Sequence, residues 1–270
     1  MKYVNDYADR LGYCARTVGY FCEKGGLKLV LGRIHSFESM GLVDGPGIRS
    51  VVFLQGCHLR CRYCHNPDTW NLKEEKVELL SAKDLVDKLI RFKPYYRNNV
   101  GVTFSGGEPL LQKEFLLKVL PLCKEAGIHT CLDTSGFGDG DYEEILKNTD
   151  LVLFDIKHYK EEEYKSLTGA DIEESLKFLE VCQKMNKPLW IRHVVIPNLT
   201  DSDEHLRGLL DFIKTLKNIE KVELLPYHIL GVNKYEKMGI PYSLRDTKPM
   251  EQEKVQIWQE KINRELLRKG

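Results

Sequence analysis

The chain has 270 residues, enough to bury a large core, and its 40 basic and 40 acidic residues cancel. That balance leaves no basic field to draw nucleic acid or an anionic membrane, and a composition of 42% hydrophobic and 30% charged residues is that of a soluble globular protein. No apolar run in the first thirty residues has the length of a signal-peptide core and none in the chain is long enough to span a bilayer, so a cytoplasmic protein with reduced thiols is expected.

In chain order, residues 1–31 carry Cys14 and Cys22, too far apart for a compact metal site. They are treated as an extension of unknown role, folded as a loosely packed surface helix or arising from an upstream start with translation beginning near Leu27 or Leu29. Residues 32–270 then form one domain. Six apolar, β-branched runs predict strands: SVVFLQG (50–56), GVTFSGG (101–107), HTCLDTSG (129–136), LVLFDIK (151–157), LWIRHVVIP (189–197) and KVELLPYH (221–228). Helical periodicity falls between and after them, at 81–92, 112–127, 141–148, 171–187, 202–218 and 249–268. Ser81, Asp141 and Ser202 sit where N-caps belong, Gly127 stops a helix, and Pro121 is expected to interrupt and kink one. Strands alternating with helices imply a parallel sheet with right-handed crossovers. Six such units fall short of a closed eight-stranded barrel, and an open, partial α/β barrel fits better than a doubly wound sheet.

Ligands of parallel α/β folds bind at the carboxyl ends of strands. The first strand runs into GCHLRCRYCHNPDTW (56–70), where Cys57, Cys61 and Cys64 have the spacing C-x3-C-x2-C. Three thiolates so close suit zinc or an iron–sulfur cluster. A structural zinc centre takes four ligands, and His58 or His65 can supply the fourth. A four-iron cluster held by three cysteines instead leaves one iron without a protein ligand, open to a substrate. Gly106-Gly107-Glu108, Asp133-Thr134, Asp155, Lys157, Arg192, His193, Tyr227 and His228 lie in or at the ends of the other strands, more charge than wet loops alone explain. Cys123, Cys131 and Cys182 have no such pattern and are expected to be small buried apolar groups.

The cysteine spacing after the first strand of a six-fold βα pattern resembles the radical S-adenosylmethionine superfamily. GRIHSFESMGLVDGPGIRSVVFLQGC, YCHNPDTW, SGGEPLL, GIHTCLDTSG, LVLFDIKH, LWIRHVVIP and VELLPYHILG extend the resemblance to activases of glycyl-radical enzymes, of the pyruvate formate-lyase type, over about residues 32–245. The resemblance implies a partial (βα)6 TIM-like barrel and a [4Fe–4S] cluster on Cys57, Cys61 and Cys64. It implies reductive cleavage of S-adenosylmethionine to methionine and a 5′-deoxyadenosyl radical, which makes a glycyl radical on a partner under anaerobic conditions. S-Adenosylmethionine would meet Tyr63, Cys64, His65, Gly106, Gly107, Glu108, Asp155, Ile156, Lys157, Arg192 and His228. Asp133, Thr134, the Leu153 carbonyl and Asp155 would hold a monovalent cation, although both aspartates can equally cap helices or pair with Lys157. Asp44, His65, Thr134 and Arg192 would hold the glycine loop of pyruvate formate-lyase, and flavodoxin or ferredoxin would deliver the electron to a monomeric enzyme.

Pro109 after GGE and Ser135 in DTSG depart from the pattern of the formate-lyase type. No cysteine lies between Cys64 and Cys123, so a single cluster is expected, which favours the formate-lyase type over activases of a glycerol dehydratase or choline lyase. A zinc-stabilised binding module is the alternative from another class.

Overall fold

A computed structural model describes residues 17–18, 21–24, 27–74, 76–96 and 100–267, with side chains from residue 29 onward in those ranges. The chain divides into two compact units: residues 1–57, 69–133 and 139–150 form the first, and 58–68, 134–138 and 151–270 the second.

The first unit is built on a sheet. Strands β1 (Thr17–Val18) and β2 (Phe21–Lys24) pair antiparallel, and β2 pairs antiparallel with β3 (Leu27–Gly41), so this part of the extension is strand rather than the expected helix. The rest of residues 1–26 lies outside the described residues. β3 continues antiparallel along β4 (Arg49–Leu54) and also pairs with β5 (Glu78–Ser81). β4 then pairs in parallel with β6 (Gly101–Gly106), and β6 in parallel with β7 (His129–Thr134). Helix α1 (Ala82–Ile90) begins at Ser81, whose hydroxyl accepts from the Asp84 N–H as an N-cap should. Helix α2 (Lys113–Glu125) runs unbroken through Pro121, so the expected interruption is absent. Phe115 of α2 packs so closely on β3 that a Cβ at Gly32 would stand 2.4 Å from its ring. Helix α3 (Tyr142–Lys147) starts at Asp141, which has φ of 57° and makes no side-chain cap, contrary to the capping expectation. Val51, Val52, Leu54, Val102, Phe104 and Leu132 are buried from the strands, and Leu85, Leu89, Leu116 and Leu120 from the helices.

The second unit contains β8 (Leu151–Asp155), β9 (Leu189–Val195) and β10 (Ile219–Pro226), paired in parallel in that order. Its helices are α4 (Glu161–Thr168), α5 (Glu173–Lys184), α6 (Asp203–Thr215), α7 (Val232–Met238) and α8 (Gln252–Leu267). Ser202 caps α6 by accepting from the His205 N–H. Every one of the six expected strands is present, and within each unit the pairing among them is parallel, as near-continuous apolar runs require when both faces are covered. β3, β5, α4 and α7 are additions that periodicity did not reveal.

Candidate functional site

In the first unit the residues of interest gather where β4 and β6 end side by side. Gly56 follows β4 with φ of 112°, and its N–H donates to the Thr69 carbonyl at 2.7 Å. The Cys57 N–H donates to Trp70 O at 3.3 Å, tying the start of the cysteine loop to its return. On the neighbouring strand end, the Gly107 N–H donates to Leu54 O at 2.9 Å and the Glu108 N–H to Gly56 O at 2.8 Å. A Cβ at Gly106 would lie 2.3 Å from Leu54 N, and one at Gly107 would lie 2.2 Å from Gly56 O and 3.2 Å from the Cys57 Cβ. Both glycines are therefore dictated by the approach of backbone to backbone beneath Cys57, and Gly106 also needs its φ of 116°. Glu108 is buried, with Oε1 accepting from the Leu110 N–H at 3.2 Å. Ser105 donates to Asp133 Oδ2 at 2.6 Å. Asp44 lies half-buried on the loop before β4.

In the second unit, residues 58–68 are held by main chain and by α7. The Arg60 and Arg62 N–H groups donate to Thr168 O and Leu167 O at 2.7 and 3.0 Å. The Cys64 N–H donates to Cys61 O at 3.0 Å, so the two cysteines share one turn. Tyr235 donates to Cys64 O at 3.0 Å, and Lys234 reaches Asn66 Oδ1 and Asp68 Oδ1 at 2.9 and 3.0 Å. The His65 ring stacks on His228 with centroids 4.0 Å apart, and its Nε2 lies 3.0 Å from His228 O. A Cβ at Gly231 would stand 2.7 Å from the His65 Cα. Burial, reinforced by His228, lowers His65 to about 4, so the ring is neutral at neutral pH.

A charged triad stands at the ends of β8 and β9 in the same unit. Arg192 Nε donates to Asp155 Oδ1 at 2.8 Å, and Lys157 Nζ to Asp155 Oδ2 at 2.9 Å. Burial alone would raise Asp155, but the charges of Arg192 and Lys157 outweigh it and hold the carboxylate well below its ordinary range. Burial would likewise lower Lys157, and Asp155 reverses the sign. The Lys157 ammonium also lies 5.8 Å from the centroid of the buried Tyr63 ring. Ile156 is fixed at both ends of its peptide: its N–H donates to Arg192 O at 2.9 Å, and its carbonyl accepts from His193 Nδ1 at 2.7 Å. Leu153 is buried within β8, and Thr134 accepts the Gly136 N–H at 2.8 Å.

Each unit thus brings part of the expected site together: Cys57, Gly106, Gly107 and Glu108 in one, and Cys61, Tyr63, Cys64, His65, Asp155, Ile156, Lys157, Arg192 and His228 in the other. Tyr235, Lys234 and Gly231 support these residues and were not anticipated, whereas His193, which holds the Ile156 carbonyl, was among the strand residues singled out. Only the VELLPYHILG match, ending at Gly231, pointed toward that support.

The donor set suits an iron–sulfur cluster. All three donors are cysteine sulfurs; Cys57 and Cys61 are buried and Cys64 is half-buried. Burial raises Cys61 to about 12, with Lys157 pulling the other way. The glycines beneath Cys57 let main chain approach that cysteine closely. Cys123, Cys131 and Cys182 are wholly buried, as small apolar groups are.

Residues 51–212 match the model of the radical SAM superfamily. The chain is 60% identical over 227 residues to the pyruvate formate-lyase-activating enzyme of Clostridium pasteurianum, covering 84% of this chain and 94% of that one. It is 46% identical over 235 residues to the enzyme of the same name from Staphylococcus epidermidis, covering 84% and 93%. Among solved structures, a domain of pyruvate-formate lyase-activating enzyme from Bacteroides vulgatus aligns with a TM-score of 0.50 and 25% identity, over 60% of this chain and 92% of that one. The fold class is accordingly that of the radical SAM enzymes, an α/β sheet of parallel strands in agreement with the expected open, partial barrel. The chain belongs to the radical SAM superfamily and, within it, to the pyruvate formate-lyase-activating enzymes.

Proposed function

We propose that this protein activates pyruvate formate-lyase by generating a glycyl radical on it, with Cys57, Cys61 and Cys64 holding one [4Fe–4S] cluster and S-adenosylmethionine as the radical source. When bound, the reduced cluster supplies one electron that breaks the sulfonium C–S bond, giving methionine and a 5′-deoxyadenosyl radical that takes the glycine α-hydrogen. The observation that supports this reading is the closure of Gly106-Gly107-Glu108 onto the Gly56–Cys57 peptide, which brings that strand-end turn against the main chain of the first of the three cysteines.

The residues have separate tasks. Gly106 and Gly107 bring main chain close to the methionine end, and Glu108 faces its amino group. Asp155 neutralises one of its two cationic neighbours, leaving one net positive charge on the triad for an anionic ligand group. His65, kept neutral by burial, adds no repulsion to a sulfonium cation. Tyr63, Ile156 and His228 flank the nucleoside. Asp133, Thr134, the Leu153 carbonyl and Asp155 offer oxygen donors only, which suits a hard monovalent cation. Asp44, His65, Thr134 and Arg192 receive the glycine loop of the partner. Flavodoxin or ferredoxin supplies the electron to a monomeric, cytoplasmic enzyme; among the described residues no helix is long and apolar enough to cross a membrane.

Anaerobic reconstitution with iron and sulfide tests the reading. Reductant and S-adenosylmethionine should then yield 5′-deoxyadenosine, and added pyruvate formate-lyase should show the paramagnetic doublet of a glycyl radical. A colourless protein with stoichiometric zinc overturns it.

A further inference from the structure

Beneath the exposed loop 42–48 lies a wholly buried arginine. Arg49 donates from Nε to Thr103 Oγ1 at 2.8 Å, from Nη2 to Val102 O at 2.8 Å and His129 O at 3.3 Å, and from Nη1 to Pro46 O at 3.4 Å. Thr103, also wholly buried, donates its hydroxyl proton to the Asp44 carbonyl at 2.6 Å. One hydroxyl therefore accepts from the guanidinium and donates to the loop, so its proton direction is fixed. The loop is shaped to this hub. Gly45 has φ of 124°, and a Cβ there would stand 3.0 Å from Arg49 Cδ. Gly47 has φ of 71°, and a Cβ would meet Val100 at 2.3 Å. Gly41 leaves room for the Asp44 carboxylate, whose Oδ2 would lie 2.9 Å from an added Cβ.

Burying a guanidinium is costly, and burial lowers the Arg49 pKa, with Cys131, Tyr96, Asp150 and Asp44 opposing. A charge so placed is satisfied by fixing main chain, here the Pro46 carbonyl of the loop and the Val102 and His129 carbonyls of β6 and β7. What the hub supports is a surface: Leu42 and Val43 are 70% and 76% exposed, beside Asp44. Exposed apolar side chains around an acidic group, on a loop anchored at the Asp44 and Pro46 carbonyls, suit a protein partner better than solvent.

We propose that Thr103 and Arg49 are positioning residues for partner binding, holding the Asp44 main chain so that its side chain is presented to the incoming glycine loop. This rests on the reading that Asp44 meets that loop. Neither residue touches the cluster loop or the Gly106–Glu108 turn through the bonds described, so cofactor chemistry should be separable from partner recognition.

The test is Thr103→Val, which keeps the side-chain shape and removes the hydroxyl, against Thr103→Ser, which keeps the hydroxyl. Both are measured as cluster-bearing protein. Thr103→Val should weaken binding of pyruvate formate-lyase to immobilised enzyme about tenfold and raise its KM similarly. The kcat at saturating partner, and cleavage of S-adenosylmethionine without partner, should stay within about twofold of the parent. Thr103→Ser should restore binding. Should Thr103→Val not fold, Arg49→Lys reads the same quantities, since it keeps the charge and loses the fork. Partner affinity equal to the parent in a folded variant overturns the proposal, as does a loss confined to partner-free cleavage. A parent enzyme that cleaves no S-adenosylmethionine would instead defeat the underlying reading.

Discussion

Arg192 and Asp155 are joined by a 2.8 Å hydrogen-bonded ion pair, and the same carboxylate takes Lys157 on its other oxygen. All three side chains are largely buried. Asp155→Asn keeps the shape and removes the charge, leaving two cations facing each other. Breaking a buried pair in this way costs about 3 kcal/mol. Chemical denaturation should show that loss, and the KM for S-adenosylmethionine should rise by at least about tenfold. A variant as stable as the parent, with unchanged KM, would remove the triad from the site.

The same triad sets an acid limit. Asp155 has a folded pKa below its unfolded value, so its stabilisation is present above the ordinary carboxylate range and fades as pH falls toward the folded value. Between neutral pH and that limit a second group of residues acts. His193 Nε2 lies 3.1 Å from His205 Nε2, and the His158 ring lies 4.6 Å from that of His205. All three are buried; burial, with histidine neighbours adding, lowers His193 to about 4 and His205 to about 3. Unfolded histidines take up protons below about pH 6.5 while these stay neutral, so stability should drop as pH falls from there to about 4. Each histidine contributes a slope of roughly 1 kcal/mol per pH unit. His205→Gln should flatten the dependence of unfolding midpoint on pH between 6.5 and 5, and an unaltered slope would refute the assignment.

Gly107→Ala probes the close approach of main chain beneath Cys57. Its new Cβ would stand 2.2 Å from Gly56 O, which is main chain and cannot swing aside. The strain, about 1–3 kcal/mol for an overpacked site, falls on the peptide that carries Cys57. Iron content after reconstitution should fall well below that of the parent, and 5′-deoxyadenosine formation with it. Full iron loading with full activity would show that the turn has more room than its contacts indicate.

Much of this arrangement was legible because the chemistry lies at strand ends. Continuous apolar runs such as LVLFDIK and LWIRHVVIP marked buried parallel strands, and a Lys or Arg inside such a run stood out. The pairing of Asp155 with Lys157 was among the alternatives, since side chains two apart share one face of an extended chain. β3 escaped because LGRIHSFESMG mixes polar and apolar residues on an antiparallel strand that is partly exposed. α7 escaped because only Tyr235 of its seven residues is buried, too little to show a period. The histidine cluster and the Arg49 hub are assembled from separate elements, and a contact of that kind leaves no local pattern.

The two kinds of cysteine should part company under mutation. Cys61 shares its turn with Cys64 in a loop pinned by Tyr235, whereas Cys123 lies on α2 with no exposed surface. Cys61→Ala removes one of three cluster ligands and should abolish both cluster retention and reductive cleavage of S-adenosylmethionine. Cys123→Ala removes one sulfur from a packed helix face, a change worth about 0.5–2 kcal/mol, and should leave iron content and activity intact. The visible absorption of the reconstituted proteins reads the first effect and thermal unfolding the second. Equal iron content in the two variants would mean that the buried sulfur at Cys61 is as structural as the one at Cys123, and the cluster would have to be sought on other ligands.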